Sequence, residues 1–175
     1  MKWKKQGWEL SAVKIKTPFL EIEWKPRQEN SIPIYIVSKH SGKCLDVSWA
    51  SLEDGANIIQ FYIHGGKNQK WLFKPVGEGC YLIINKLSYK CLDVSSWGTK
   101  DGTEIIQYSI HGGDNQKWLL KPTGDGYYQI LSKHSGKCLD VSGWSQHDGA
   151  KIIQHSAHDG DNQKWELRSA EMDSA

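Results

Sequence analysis

Residues 111–118 read HGGDNQKW, a polar, glycine-bearing loop that ends in a large aromatic of the kind folds bury. The phrase recurs as HGGKNQKW at 64–71 and HDGDNQKW at 158–165, a constant interval of 47 residues. KCLDVS keeps the same step from Lys43, Lys90 and Lys137, and so does the turn dipeptide Asp-Gly at Asp54, Asp101 and Asp148. Gapless alignment of 34–71 with 128–165 gives 25 identical positions of 38, so a triple repeat organises the chain. Its copies are 34–80, 81–127 and 128–173.

The chain has 175 residues, enough for one domain with a real core and a short extension. Its net charge is +2, with both signs interspersed. Such a balance carries neither the basic stripe of a nucleic-acid binder nor an acidic disordered tail. No apolar run approaches the length that spans a membrane. The N-terminal MKWKKQGWELSAVKIK lacks the apolar stretch of a signal peptide. The expectation is a cytoplasmic protein, one released without a signal peptide, or an extracellular one if this is a piece of a longer secreted chain.

Cys44, Cys91 and Cys138 share one repeat position, which keeps them apart, and Cys80 stands alone. All four are expected to be reduced thiols acting as small buried apolar groups.

Each copy holds four short strand-like runs, in the second CYLIIN, KCLDVS, TEIIQYSI and QKWLLKP. Turn signals separate them: Ser88-Tyr89, Asp101-Gly102, Gly112-Gly113 and Gly124-Asp125-Gly126. No stretch sustains a 3.6-residue apolar period, which leaves helix a minor role. The pattern predicts an all-β chain of about twelve strands in three blocks. A propeller needs at least four blades, so three blocks must close around one shared core. Trp71, Trp118 and Trp165 belong in that core with their neighbouring leucines and isoleucines.

CLDV, then DGAxI, then GGxNQKW resembles the repeat of the ricin B-type lectins, whose fold is the β-trefoil. The Gln-x-Trp element of that family stands at Gln69, Gln116 and Gln163, in register with three CLDV segments. The resemblance covers about 34–170 and implies a trefoil lectin domain over 33–175. Many bacterial members place a second cysteine just past the third strand; here Ile63, Ile110 and Ala157 stand there, which implies the disulfide-free branch.

The same resemblance implies sugar-binding sets. The first is Asp46, Phe61, His64 and Asn68; the second Asp93, Tyr108, His111 and Asn115; the third Asp140, His155, His158 and Asn162. Gln69, Gln116 and Gln163 would brace the asparagine or the backbone. Trp49, Trp97 and Trp144 would wall the pockets, with Trp49 shifted by one position. Sugars need paired polar acceptors and an aromatic face for their C–H patch, and weak single sites work together. Threefold repetition also marks structural residues, so an aspartate holding a turn or a left-handed asparagine is the competing reading. The platform position varies among Phe61, Tyr108 and His155 while Ile59, Ile106 and Ile153 stay fixed, which favours a surface role there. The ring types predict a second site stronger than the third.

A threefold metal site at His64, His111 and His158 lacks any supporting zinc spacing, and no catalytic pairing breaks the repeat symmetry. No metal, no cofactor and no enzymatic activity are expected. Residues 1–32 alternate apolar positions at Val13 and Ile15, then at Leu20, Ile22 and Trp24, around Pro18. That predicts two strands able to close as a hairpin, and a linker at 25–30, with Trp3, Trp8 and Trp24 packing on the trefoil or on another subunit. The expected function is a lectin for galactose-like or related sugars, alone or as the targeting module of a toxin or glycosidase. The alternative is a trefoil interaction scaffold, such as an inhibitor or toxin subunit, with degenerate pockets. Expected partners are glycans, not nucleic acid or membrane, with a homodimer or partner chain through the extension.

Overall fold

A computed structural model of the chain describes residues 32–171 throughout and the backbone of two earlier strands at 8–16 and 19–26. The chain divides into two units, residues 1–31 and 32–175. In the first, β1 (Trp8–Lys16) and β2 (Phe19–Pro26) pair antiparallel, with Val13 opposite Ile22, Ile15 opposite Leu20, and a bulge between Leu10 and Ala12. The two apolar runs form a hairpin, and β2 takes up the start of the expected linker. The packing of Trp3, Trp8 and Trp24 lies outside the described residues.

In the second unit every copy contributes four strands. They are β3 (Ile34–Ser38), β4 (Cys44–Val47), β5 (Ile58–Phe61) and β6 (Trp71–Pro75), then β7 (Cys80–Asn85), β8 (Cys91–Val94), β9 (Ile105–Tyr108) and β10 (Trp118–Pro122). The third copy supplies β11 (Tyr128–Ser132), β12 (Cys138–Val141), β13 (Ile152–His155) and β14 (Trp165–Ser169). Among the described residues, helix is confined to six three-residue 3-10 turns. The run TEIIQYSI yields only the four residues of β9. Thr103 turns back on the Lys100 carbonyl, and Ser109 gives its N–H to Asp54, so neither end continues the ladder.

The first and fourth strands of the copies form a closed ring. β6 pairs with β7, β7 with β10, β10 with β11, β11 with β14, β14 with β3, and β3 with β6. A closed barrel leaves no unpaired edge to template aggregation. The second and third strands of each copy make the hairpins β4–β5, β8–β9 and β12–β13, which cap it. This is the β-trefoil.

The core repeats threefold. Trp71, Trp118 and Trp165 are fully buried together with Ile36, Ile83 and Ile130, Leu45, Leu92 and Leu139, and their valine and isoleucine neighbours. Each buried indole N–H finds an acceptor: Trp71 donates to the Leu45 carbonyl at 3.2 Å, Trp118 to Leu92 at 3.0 Å and Trp165 to Leu139 at 3.1 Å. The leucine directly after Trp118 is not core; Leu119 faces out while Leu120 packs inward.

Copies are clasped to one another by contacts that the turn signals did not foretell. Asp54 of the first copy accepts from the Ser109 N–H at 2.7 Å and from Lys90 Nζ at 2.6 Å in the second. Asp101 does the same to Ser156 and Lys137 of the third, and Asp148 to the Tyr62 N–H and Lys43 of the first. Beneath each clasp lies a fully buried glutamine. Gln107 Nε2 donates to the carbonyls of Ser51 and Glu53, while its Oε1 accepts from Ser88 Oγ; Gln60 and Gln154 repeat the pattern.

Cys44, Cys91 and Cys138 are fully buried, Cys80 nearly so, and all four are free. Burial, then the neighbouring aspartate, pushes Cys44 and Cys91 up to about 12 and Cys138 to about 11.

Three outcomes are expected. Trp118→Ala should cost about 3–5 kcal/mol, read from urea unfolding, because it empties the shared core and orphans the Leu92 carbonyl. Thiol titration should find four free thiols in denaturant and slow reaction of the native protein at pH 8, since thiolate is the reactive form. Asp101 is held down to about 2, chiefly by the hydrogen bond from Lys137. Its folded pKa lies below the unfolded value near 3.9, so its stabilisation is present above about pH 4 and lost as pH falls toward 2. Asp101→Asn should flatten that part of the stability–pH curve.

Candidate functional site

The site grows from strand alternation. Along β4, Leu45 and Val47 enter the core, which turns Asp46 to the opposite face, where the loop before β6 covers it. The three aspartates are each only 3% exposed. A buried carboxylate is costly unless hydrogen-bonded. Asp46 accepts from Asn68 Nδ2 at 3.0 Å and Gln69 Nε2 at 2.9 Å, with His64 Nε2 at 3.3 Å. Asp93 has Asn115, Gln116 and His111 at 2.9, 2.9 and 3.3 Å. Asp140 has Asn162, Gln163 and His158 at 3.0, 2.8 and 3.5 Å. Burial nevertheless wins and raises all three carboxyls above the usual value, against the lowering pull of these donors.

The glutamines brace the aspartate and the backbone rather than the asparagine. Gln69 is fully buried, donates to Asp46 and to the Tyr62 carbonyl, and accepts the His64 N–H through Oε1; Gln116 and Gln163 act alike. The competing structural readings meet a different geometry. The aspartates sit within a strand rather than at a turn, and the asparagines lie in 3-10 turns without positive φ.

A ring corner stands over each aspartate. Phe61 meets His64 nearly edge-on at 6.1 Å, Tyr108 meets His111 at 6.0 Å and His155 meets His158 at 5.8 Å. Each of these histidines accepts through Nδ1 from the Gly66, Gly113 or Gly160 N–H, which assigns its proton to Nε2, facing the aspartate. All four expected residues line one pocket in the first copy, of about 520 Å³, and again in the second, of about 390 Å³. In the third, Asp140, His155 and His158 bring ligand atoms within 4.8 Å of one another. That trio suits a small cation only if His158 moves its proton to Nδ1 and gives up the Gly160 N–H, so hydrogen bonding occupies it as it stands.

The tryptophans divide. Trp97 stacks on His111 at 6.0 Å and lines the second pocket, and Trp144 stacks on His158 at 5.8 Å. Trp49 is displaced: it still borders the first pocket but is 98% exposed, and Ala50 takes the position that stacks on the histidine in the other copies. Sequence reasoning missed the props of the two walls. His134 Nε2 bonds the Trp97 carbonyl at 2.9 Å and His40 the Trp144 carbonyl at 2.7 Å, each ring also edge-on to the indole. The signal was present, since Leu87 replaces these histidines where Ala50 replaces the tryptophans.

The ricin-type β-trefoil lectin domain-like family model matches residues 22–108, 67–155 and 114–174. No curated protein matches the chain. Among solved structures, the designed threefold-symmetric protein ThreeFoil is 50% identical, with 78% of this chain and 98% of that one covered and a TM-score of 0.78. An exo-β-1,3-galactanase from Clostridium thermocellum is 39% identical, TM-score 0.80, over 84% of this chain and 32% of that one. A Polyporus squamosus lectin bound to Neu5Acα2-6Galβ1-4GlcNAc is 25% identical, TM-score 0.70, over 81% and 50%. The chain thus spans about a third of the galactanase and half of the lectin. With three overlapping family matches covering 22–174, the chain belongs to the ricin-type β-trefoil lectin domain-like family.

Proposed function

We propose that this chain is a non-enzymatic lectin that holds galactose-like or related sugars at up to three sites, one in each copy. One observation carries the reading: each copy sets a buried aspartate, held by two amides and an imidazole, beneath a corner of two rings. Two amides and an imidazole fix the carboxylate in place, so its remaining acceptor capacity can receive adjacent sugar hydroxyls without reorganising. The platform ring beside it offers the apolar face that a pyranose C–H patch covers. The galactanase and the sialyl-galactoside-bound lectin support a galactose-like choice. Three separate shallow sites suit weak individual binding strengthened by multivalent display. Four free, buried thiols support a reducing setting for the chain.

The aspartate is a poor residue for separating fold from binding. Asp93→Ala takes an acceptor from both Asn115 and Gln116, although each keeps a carbonyl partner in Val94 or Ser109. Tyr108 is 42% exposed and makes no such bond, so Tyr108→Ala isolates binding.

Calorimetry with methyl β-galactopyranoside should show Tyr108→Ala losing the second site with unfolding unchanged. Asp93→Ala should lose the same site and also about 1–3 kcal/mol of stability. Because the aspartates' folded pKa values are raised, the ionised acceptor disappears as pH falls through that raised value. Binding should therefore weaken on acidification before an ordinary carboxylate, near 3.9, would protonate. A glycan array with no bound sugar at millimolar concentration would favour the scaffold reading.

A further inference from the structure

The three copies are internal controls for one another, and the first departs from the other two at four places around a single pocket. The turn after the CLDV strand has two consecutive left-handed residues in the first two copies: Trp49 and Ala50 at φ 57° and 48°, Ser96 and Trp97 at 52° and 54°. Gly143 and Trp144 follow the same path at 62° and 55°. The backbone is shared; what differs is which of the two residues carries the indole. The second residue's side chain lies against the histidine. The first residue's side chain stands in water, which is why Trp49 is 98% exposed while Trp97 and Trp144 are half-covered.

Three further changes accompany that shift. Leu87 replaces the propping histidine, so the first copy lacks both the wall and its support. Tyr62 stands where Ser109 and Ser156 stand in the other copies; it is 54% exposed and lies obliquely on Phe61 at 5.0 Å, which widens the aromatic floor. The surroundings of the asparagine Oδ1 differ as well. In the second copy the far edge of Trp97 closes on Gly113, where a Cβ would lie 2.6 Å from the indole Cη2 and 2.7 Å from Asn115 Oδ1. Asn115 Oδ1 and Asn162 Oδ1 are consequently buried with no partner, whereas Asn68 Oδ1 is not in that condition and Asn68 lines the larger pocket.

We infer that the first site is built for a disaccharide, with one ring over Phe61 and Asp46 and the second ring on Trp49, while the second and third sites take a single terminal ring. The inference rests on the reading of these pockets as sugar sites. A tryptophan wholly in water beside a pocket leaves a large apolar face uncovered, and burying such a face is favourable. The absent wall removes the barrier between that face and the pocket floor. Asn68, which lines this pocket, would add its Oδ1 as an acceptor. Where Trp97 and Trp144 stand, a ligand extended in the same direction meets an indole held from behind by His134 or His40.

The test is an NMR titration that follows the indole N–H signals of Trp49, Trp97 and Trp144 separately, with methyl β-galactopyranoside and with a β-linked galactobiose. The Trp49 signal should titrate about tenfold more tightly with the disaccharide than with the monosaccharide. The Trp97 and Trp144 signals should give the same affinity for both within about twofold. In Trp49→Ala, the disaccharide-to-monosaccharide ratio read from the Gly66 amide should fall to about one. Rewriting the first copy as the second, with Trp49→Ser, Ala50→Trp and Leu87→His together, should do the same. Monosaccharide binding at all three sites with equal ratios overturns this inference while the lectin reading stands. No shift with either sugar overturns both.

Discussion

The hydrogen bond from each buried indole N–H to a leucine carbonyl ties the barrel to its caps. Trp71 begins a barrel strand, while Leu45 sits in the capping hairpin, and the residue after Leu45 is Asp46. One interaction thereby satisfies a polar group in the middle of the core and sets the height of the carboxylate above it. The same linkage recurs at Trp118 with Leu92 and at Trp165 with Leu139. Core and candidate site are consecutive residues of one four-residue strand, pointing to opposite faces.

Threefold repetition separates two kinds of position within the chain. The tryptophans, the CLDV strands, the clasping aspartates and the glutamines Gln60, Gln107 and Gln154 are the same in every copy. They each fill a slot whose geometry the closed ring fixes. The platform residue, the wall and its prop vary, because they border solvent and carry no barrel contact. Phe61, Tyr108 and His155 change the chemistry of a pocket without changing the hairpin that presents it.

Much of this was legible in the sequence because period and spacing are local properties. The 47-residue step, the alternation in CLDV and the turn dipeptides lead to twelve strands and a tryptophan core, and the family resemblance to the residue sets that meet in the pockets. What escaped depends on closure. Nothing near Gln107 in the chain says that its amide will reach Ser51 and Glu53 in the preceding copy, since that contact exists only once the ring has formed. Trp49 was visibly displaced by one position. Its consequence needed the left-handed pair in the turn, which sends adjacent side chains in unlike directions. The length of β9 was overread for a similar reason: Ser109 looks strand-like until Asp54 claims its N–H.

The clasp has a consequence for what a single copy is. Asp148 and Gly149 of the third copy hold and line the pocket of the first. Asp54 holds the rim of the second and Asp101 that of the third. The first pocket is therefore made at a seam, and the second, lined by its own copy alone, still takes the clasp at its rim from the neighbouring copy. A lone 47-residue peptide would own an aspartate, a platform ring and a histidine, yet have no neighbour to fix them. Only three such peptides gathered in a ring would regain the seams, so in this architecture the support of a candidate site and a contact between copies are the same structure, here folded into one chain.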